Sequence, residues 1–138
     1  MNLADATVFY VDDNPKAQRL LGGLLTACGF RVITESDPLE ARAGWMRFRF
    51  DLALLDYRMP FLTGSQLAKE IKSSAPNVPI VLISGHTTLA ASELLFVDAH
   101  FGRDIVLDDL LSTMWGLACS NRMSARERRE ARLWSDSM

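Results

Sequence analysis

Asp51 to Pro60 reads DLALLDYRMP, an apolar run from Leu52 to Leu55 that stops at Asp56. A near-continuous apolar run of this length suits a strand covered on both faces, as in a parallel sheet. Two other stretches follow the same plan. Thr7 to Asn14 reads TVFYVDDN and stops at Asp12-Asp13, and Val78 to His86 reads VPIVLISGH and stops at Ser84. In open parallel sheets the site lies outside the carboxyl ends of the strands. Three carboxylates and a hydroxyl are therefore expected at one edge, an arrangement that suits a hard divalent cation and a phosphoryl group.

Outward from these runs, strand and helix patterns alternate. Asn14-Pro15 supplies a cap and a proline at the first helical position. Leu20, Leu21, Leu24, Leu25 and Cys28 recur at helical spacing, and Gly29 ends that helix. Phe30 to Glu35 alternates as a second strand, and Asp37-Pro38 opens a helix carrying Leu39, Ala41, Trp45 and Met46. Gly64-Ser65 opens another with Leu67, Ala68 and Ile71, while Pro76 and Pro79 bracket the entry to the strand that ends at Ser84. A short helix is expected over roughly Thr88 to Phe96, then a weak fifth strand over Ala99 to Gly102. The last helix starts near Asp108 and carries Leu110, Leu111, Met114, Trp115 and Ala118. This alternation implies an α/β, doubly wound (βα)5 parallel sheet. Trp45, Trp115 and the methionines read as core or interface.

A length of 138 residues fits one domain, and 49% hydrophobic content is that of a globular chain. No apolar run approaches the ~20 residues of a spanning helix. No basic segment precedes the first apolar run, so no secretory signal is expected. Cys28 and Cys119 lie far apart among apolar neighbours, which reads as reduced core cysteines, not a disulfide or a metal site, in a cytoplasmic protein. Charge is uneven along the chain. Residues 1–120 carry 10 basic and 14 acidic side chains, whereas 121–138 carry five arginines against three acids. The expected division is a domain over 1–120 and a basic C-terminal extension or linker over 121–138. Ser124 and Glu127 fit a capping box within that extension, so part of it is expected to be helical. The acidic body argues against nucleic acid as a partner of the domain itself.

Together these residues resemble a response-regulator receiver domain, the chemotaxis-regulator-like phosphoacceptor module of two-component signalling. The resemblance rests on Asp12-Asp13 after the first strand, Asp56 closing LALLD, Met59-Pro60 with Gly64, and Ser84-Gly85-His86 after the fourth strand. It runs from about Thr7 to Cys119. Aspartates at helix starts can be simple caps, which would account for Asp13 or Asn14 but not for Asp56 at the end of an apolar strand. The resemblance implies a flavodoxin-like fold with strand order 2-1-3-4-5, which sets the first and third strands side by side.

It also implies the chemistry. Asp56 would be the phosphoacceptor, forming an acyl phosphate. Mg²⁺ would be held by Asp12, Asp13, Asp56 and the backbone carbonyl of Arg58, offsetting the repulsion between carboxylates and a phosphoryl group. Ser84 and backbone amides near Tyr57 and Gly85 would donate to the phosphoryl oxygens. His86 reads as an exposed loop residue. The implied partners are a sensor histidine kinase or phosphotransfer protein and a downstream protein target. A homodimer would use the family's face of fourth helix, fifth strand and fifth helix. The phosphorylation chemistry has no external product, so an enzyme is not expected.

The sequence departs from the family at the fifth strand. The usual lysine falls on Arg103 and the following proline on Asp104. Asp104 is expected to compete for Arg103 and leave it a weak phosphate contact, because arginine is longer and prefers bidentate partners. The non-proline bond after Arg103 is expected to be trans. Ser84 and Arg103 are 19 positions apart, about one helical turn less than the family pattern. The family's switching aromatic falls on His100, with Phe101 beside it as the alternative. These changes keep open a second function, a receiver-like interaction module that works without phosphorylation. A phosphatase with an aspartate nucleophile would need a second aspartate two residues after Asp56, where Arg58 stands.

Overall fold

Two prolines set where the first helices begin. Pro15 and Pro38 each occupy a first-turn position, where the missing N–H costs nothing. Asn14 and Asp37 precede them with extended backbone, and each side chain accepts from two amides of the first turn. The helices they open are α1, Pro15–Ala27, and α2, Pro38–Gly44. Thr63 and Gln66 form a reciprocal capping box at the start of α3, Gly64–Ser74. The computed structural model describes residues 6–85 and 88–121, and its last helix, α4, covers 107–121.

The strands are β1, Thr7–Val11; β2, Arg31–Glu35; β3, Leu52–Asp56; β4, Ile80–Ser84; and β5, Ala99–Gly102. They form one parallel sheet in the order β2-β1-β3-β4-β5, the order expected above. Successive residues of a strand face opposite sides, and here both sides are covered. Phe9, Val11, Ala53, Leu55, Ile80 and Leu82 pack on Ala41 of α2 and Leu67, Ala68 and Ile71 of α3. Val8, Tyr10, Leu52, Leu54, Val81 and Ile83 pack on Leu25 of α1 and Leu110, Met114 and Ala118 of α4. Two cores on one sheet explain why β1, β3 and β4 read as unbroken apolar runs. Trp45 is buried in the first core, whereas Met46 is exposed. The cysteines expected in the core are not there: Cys28, at the end of α1, is exposed and Cys119 half-buried. Trp115 stacks on Phe30 with ring centroids 3.9 Å apart.

The helix expected over Thr88–Phe96 is instead a single 3-10 turn, Ala91–Glu93. The reason is length. The connector must return from the end of β4 to the start of β5, and a helix advances ~1.5 Å per residue against ~3.3 Å for extended chain. A connector one turn short reaches back only by uncoiling. It is held against α3 and the first core: the Ser65 hydroxyl donates to the Glu93 carbonyl at 2.6 Å, and Leu89, Leu94 and Val97 pack half-buried on that core. Among the described residues, the family's fourth helix is therefore absent from the face expected to dimerise. His86 and the extension beyond residue 121 lie outside the described residues.

Candidate phosphoacceptor and metal site

Register brings the acids together. Val11 pairs with Leu55 across β1 and β3, so Asp12 and Asp56 each stand one residue past that pair. On the other side Asp56 aligns with Ile83, and Ser84 with Gly102. Asp12 and Asp56 share a face with Tyr10 and Leu54 because their numbers have the same parity. Asp12, Asp56 and Ser84 are buried and Asp13 is half-buried.

Carboxylate oxygens of Asp12, Asp13 and Asp56 lie within 4.8 Å of one another. Asp12 is fixed at both ends, Oδ2 accepting from the Tyr10 hydroxyl at 2.9 Å and Oδ1 from the Asn14 amide at 3.0 Å. Asp56 is the opposite case, because its Oδ2 is buried and lacks a hydrogen-bond partner among the described residues. Its Oδ1 faces Arg103, whose Nη2 stands 3.3 Å away. An all-oxygen donor set with an orphaned buried oxygen fits a hard cation such as Mg²⁺.

The same burial alters the charge balance. The Asp56 pKa is raised from 3.8 to about 7, first by desolvation and then by the Asp12 charge, with Arg103 opposing both. The Tyr10 hydroxyl is pushed above its ordinary range by burial and then by Asp12, so it stays a neutral donor.

Several expectations meet their geometry here. Arg103 pairs with Asp56, and no ion pair joins it to Asp104 among the described residues. Gly85 makes this possible. A Cβ there would lie 3.3 Å from Arg103 Nε and 3.4 Å from its Cδ, so the arginine lies across a position that has no side chain. The peptide bond between Arg103 and Asp104 is trans, as are all described bonds. The Tyr57 amide is not a phosphoryl donor, because it donates to the Ile83 carbonyl at 2.8 Å. His100 pairs with Leu82 and shares the face of Ser84, whereas Phe101 packs in the other core. Arg58 is exposed, two residues beyond Asp56.

Tyr10, Gln18 and Gly85 carry roles that the sequence pattern does not reveal. Gln18 is buried and its Nε2 donates to the carbonyls of Tyr10 and Glu35, tying α1 to the ends of β1 and β2. The signal for Tyr10 is its i, i+2 relation to Asp12 on one strand face. Phe61 adds a bulky residue at φ 68 in the loop before α3, a conformation that side chains other than glycine rarely adopt.

Residues 8–102 match the response regulator receiver domain. The chain belongs to the response regulator receiver family. The receiver is 40% identical over 87 residues to the hydrogenase transcriptional regulatory protein HoxA of Cupriavidus necator, covering 63% of this chain and 18% of that protein. It is 33% identical over 89 residues to the transcriptional regulatory protein GlrR of Escherichia coli K12, covering 64% and 20%. The chain thus spans about a fifth of the length of these curated relatives. Among solved structures, the receiver domain protein of Methanospirillum hungatei superposes with a TM-score of 0.79 at 19% identity, covering 87% of this chain and 98% of that one. TrrA of Thermotoga maritima, solved with Mg²⁺ and BeF, superposes at 0.76 with 24% identity, covering 81% and 98%. These likenesses show the fold. The receiver family is a signalling module, and no helix among the described residues is long and apolar enough to cross a membrane.

One prediction arises from the Arg103 contact. Gly85→Ala is expected to disturb Arg103 and cost about 0.5–1 kcal/mol in the wild type, yet be near neutral beside Arg103→Ala, since contacting residues couple on that scale. Urea unfolding of the four variants measures this. Equal costs in both backgrounds would mean that Arg103 does not depend on the gap at Gly85.

Proposed function

We propose that this receiver is phosphorylated on Asp56 by a sensor histidine kinase or phosphotransfer protein and thereby changes its binding to a downstream protein. The observation that carries this reading is the acid triad within 4.8 Å around a buried Asp56 oxygen that has no partner among the described residues. Asp12, Asp13, Asp56 and the Arg58 carbonyl would hold Mg²⁺, which when bound supplies the positive charge that lets a carboxylate meet a phosphoryl group. In the transfer, an Asp56 oxygen forms a bond to phosphorus as the phosphorus–nitrogen bond of a donor phosphohistidine breaks. The electron pair stays with the donor nitrogen, and the imidazole takes up a proton from solvent. Ser84, Gly85 and Arg103 are the donors toward the phosphoryl oxygens, and Arg103 needs no large movement because it already faces Asp56. The acyl phosphate is the signal, with no product released, so the role is signalling rather than enzymatic, and a cytoplasmic place goes with it.

The receiver body is read as 1–120, with 121–138 a basic extension. Phosphorylation-independent binding is the second reading, favoured by the uncoiled connector between β4 and β5, which remakes the output face. A homodimer on that face would use β5 and α4, with Val106 exposed in the loop between them.

The test is intact-mass spectrometry after incubation with acetyl phosphate. With Mg²⁺ the wild type is expected to gain one phosphate, with EDTA none, and Asp56→Asn none in either case. A wild type that stays unmodified with Mg²⁺ would replace this reading by the second one.

A further inference from the structure

We propose that Tyr10 is a positioning residue for the metal site, its hydroxyl holding Asp12 in the orientation in which the acid cluster receives a divalent cation. This role rests on the Mg²⁺ reading above.

Tyr10 lies on β1, inside the sheet and 1% exposed, in one core with Val8, Leu54, Val81 and Ile83. Phenylalanine would fill this apolar surrounding equally well. The hydroxyl is thus the part of the residue that packing does not explain, and a buried hydroxyl needs a partner. Its partner is Asp12 Oδ2 at 2.9 Å, two residues on and on the same strand face. With Oδ1 bonded to the Asn14 amide, neither Asp12 oxygen turns without breaking a hydrogen bond. The backbone is fixed at the same point, because the Tyr10 carbonyl accepts from Gln18 Nε2 at 3.3 Å and the same amide group reaches the Glu35 carbonyl at 2.8 Å.

This fixing opposes a specific force. Three carboxylates within 4.8 Å repel one another before a cation arrives, and an untethered Asp12 would swing away. Asp56 keeps an open oxygen while Asp12 is held, so a cation meets one preset carboxylate and one with a vacant lone pair. Groups that orient metal ligands in this way commonly change affinity by about 10–100-fold when removed.

The experiment is calorimetric titration of the full chain with MgCl₂ for wild type, Tyr10→Phe, Asp12→Asn and the double variant, with circular dichroism melts in EDTA to establish that each is folded. Tyr10→Phe is expected to bind Mg²⁺ about 10–100-fold more weakly. In the double variant it should add nothing to the loss caused by Asp12→Asn. Wild-type affinity in a folded Tyr10→Phe would overturn the proposal and leave Tyr10 a core residue. So would an undiminished effect of Tyr10→Phe in the Asp12→Asn background, because the hydroxyl would then not act through Asp12. Absence of Mg²⁺ binding by the wild type would instead overturn the metal reading of the site, and the role of Tyr10 with it.

Discussion

Replacing Gly64 by alanine is expected to lower the unfolding free energy by about 2–3 kcal/mol and to disable the site. Gly64 is the first residue of α3 and its backbone crosses directly behind Asp56. A Cβ there would overlap the carbonyl oxygen of Asp56 and lie 2.7 Å from Leu82 Cδ1. The first obstacle is backbone at the end of a fully buried strand, which has nowhere to retreat. Alanine favours helix over glycine by up to about 1 kcal/mol, less at a first position, so the overlap decides the sign. Relief requires α3 to move outward, stretching the 2.9 Å bond from the Gly64 amide to the Tyr57 carbonyl. That movement drags Tyr57, the residue next to Asp56, so Mg²⁺ binding and acetyl phosphate reactivity should fall together with stability. Denaturant unfolding and calorimetry check both. A variant as stable and reactive as the wild type would mean that α3 is not seated against Asp56.

Residues whose meaning depends on local pattern were legible in the sequence. Leu52 to Leu55 reads as a doubly covered strand because alternate residues feed two cores, and Asp56 stands out because nothing local requires a carboxylate at the end of such a run. Asn14-Pro15 and Asp37-Pro38 start helices by chemistry confined to one turn. The connector is different. Leu89, Ala90, Ala91, Leu94 and Leu95 favour helix, but the distance back to β5 is set by the sheet and overrides that preference. Arg103 is a second case. Asp104 is its neighbour in sequence, yet the unobstructed path over Gly85 leads to Asp56, and no spacing rule encodes such a gap. The pairing of His100 with Leu82 sets which of two adjacent rings shares the face of Ser84, and a one-residue slip in register would reverse it.

In metal-free protein, Asp56→Asn is expected to be more stable than the wild type above pH 7, on the order of 3 kcal/mol, and about equal to it near pH 4. The carboxyl titrates at about 7 in the folded chain, against an ordinary value of 3.8. Between those values the folded state holds a proton that the unfolded state has released, so stability falls as pH rises through the window. The contribution is fully present below about pH 4 and lost above about pH 7. A tenfold change in proton affinity is worth about 1.4 kcal/mol, so the rise to about 7 caps the effect at roughly 4 kcal/mol. Arg103 is already included, since its charge holds the folded value down, and at 52% exposure its guanidinium can be hydrated when Asp56 is replaced. Asparagine has the shape of the protonated acid and removes the titration, so the difference between the two proteins reports Asp56 together with the charges coupled to it, Asp12 and Arg103 first. Denaturant unfolding in EDTA from pH 4 to 8 should show the two stability curves diverging as pH rises. Parallel curves would mean that Asp56 titrates normally and that its buried charge is already neutralised by Arg103. Diverging curves that Mg²⁺ draws back together would instead identify the unneutralised carboxylate as what the cation binds, because a ligand stabilises only the state it binds.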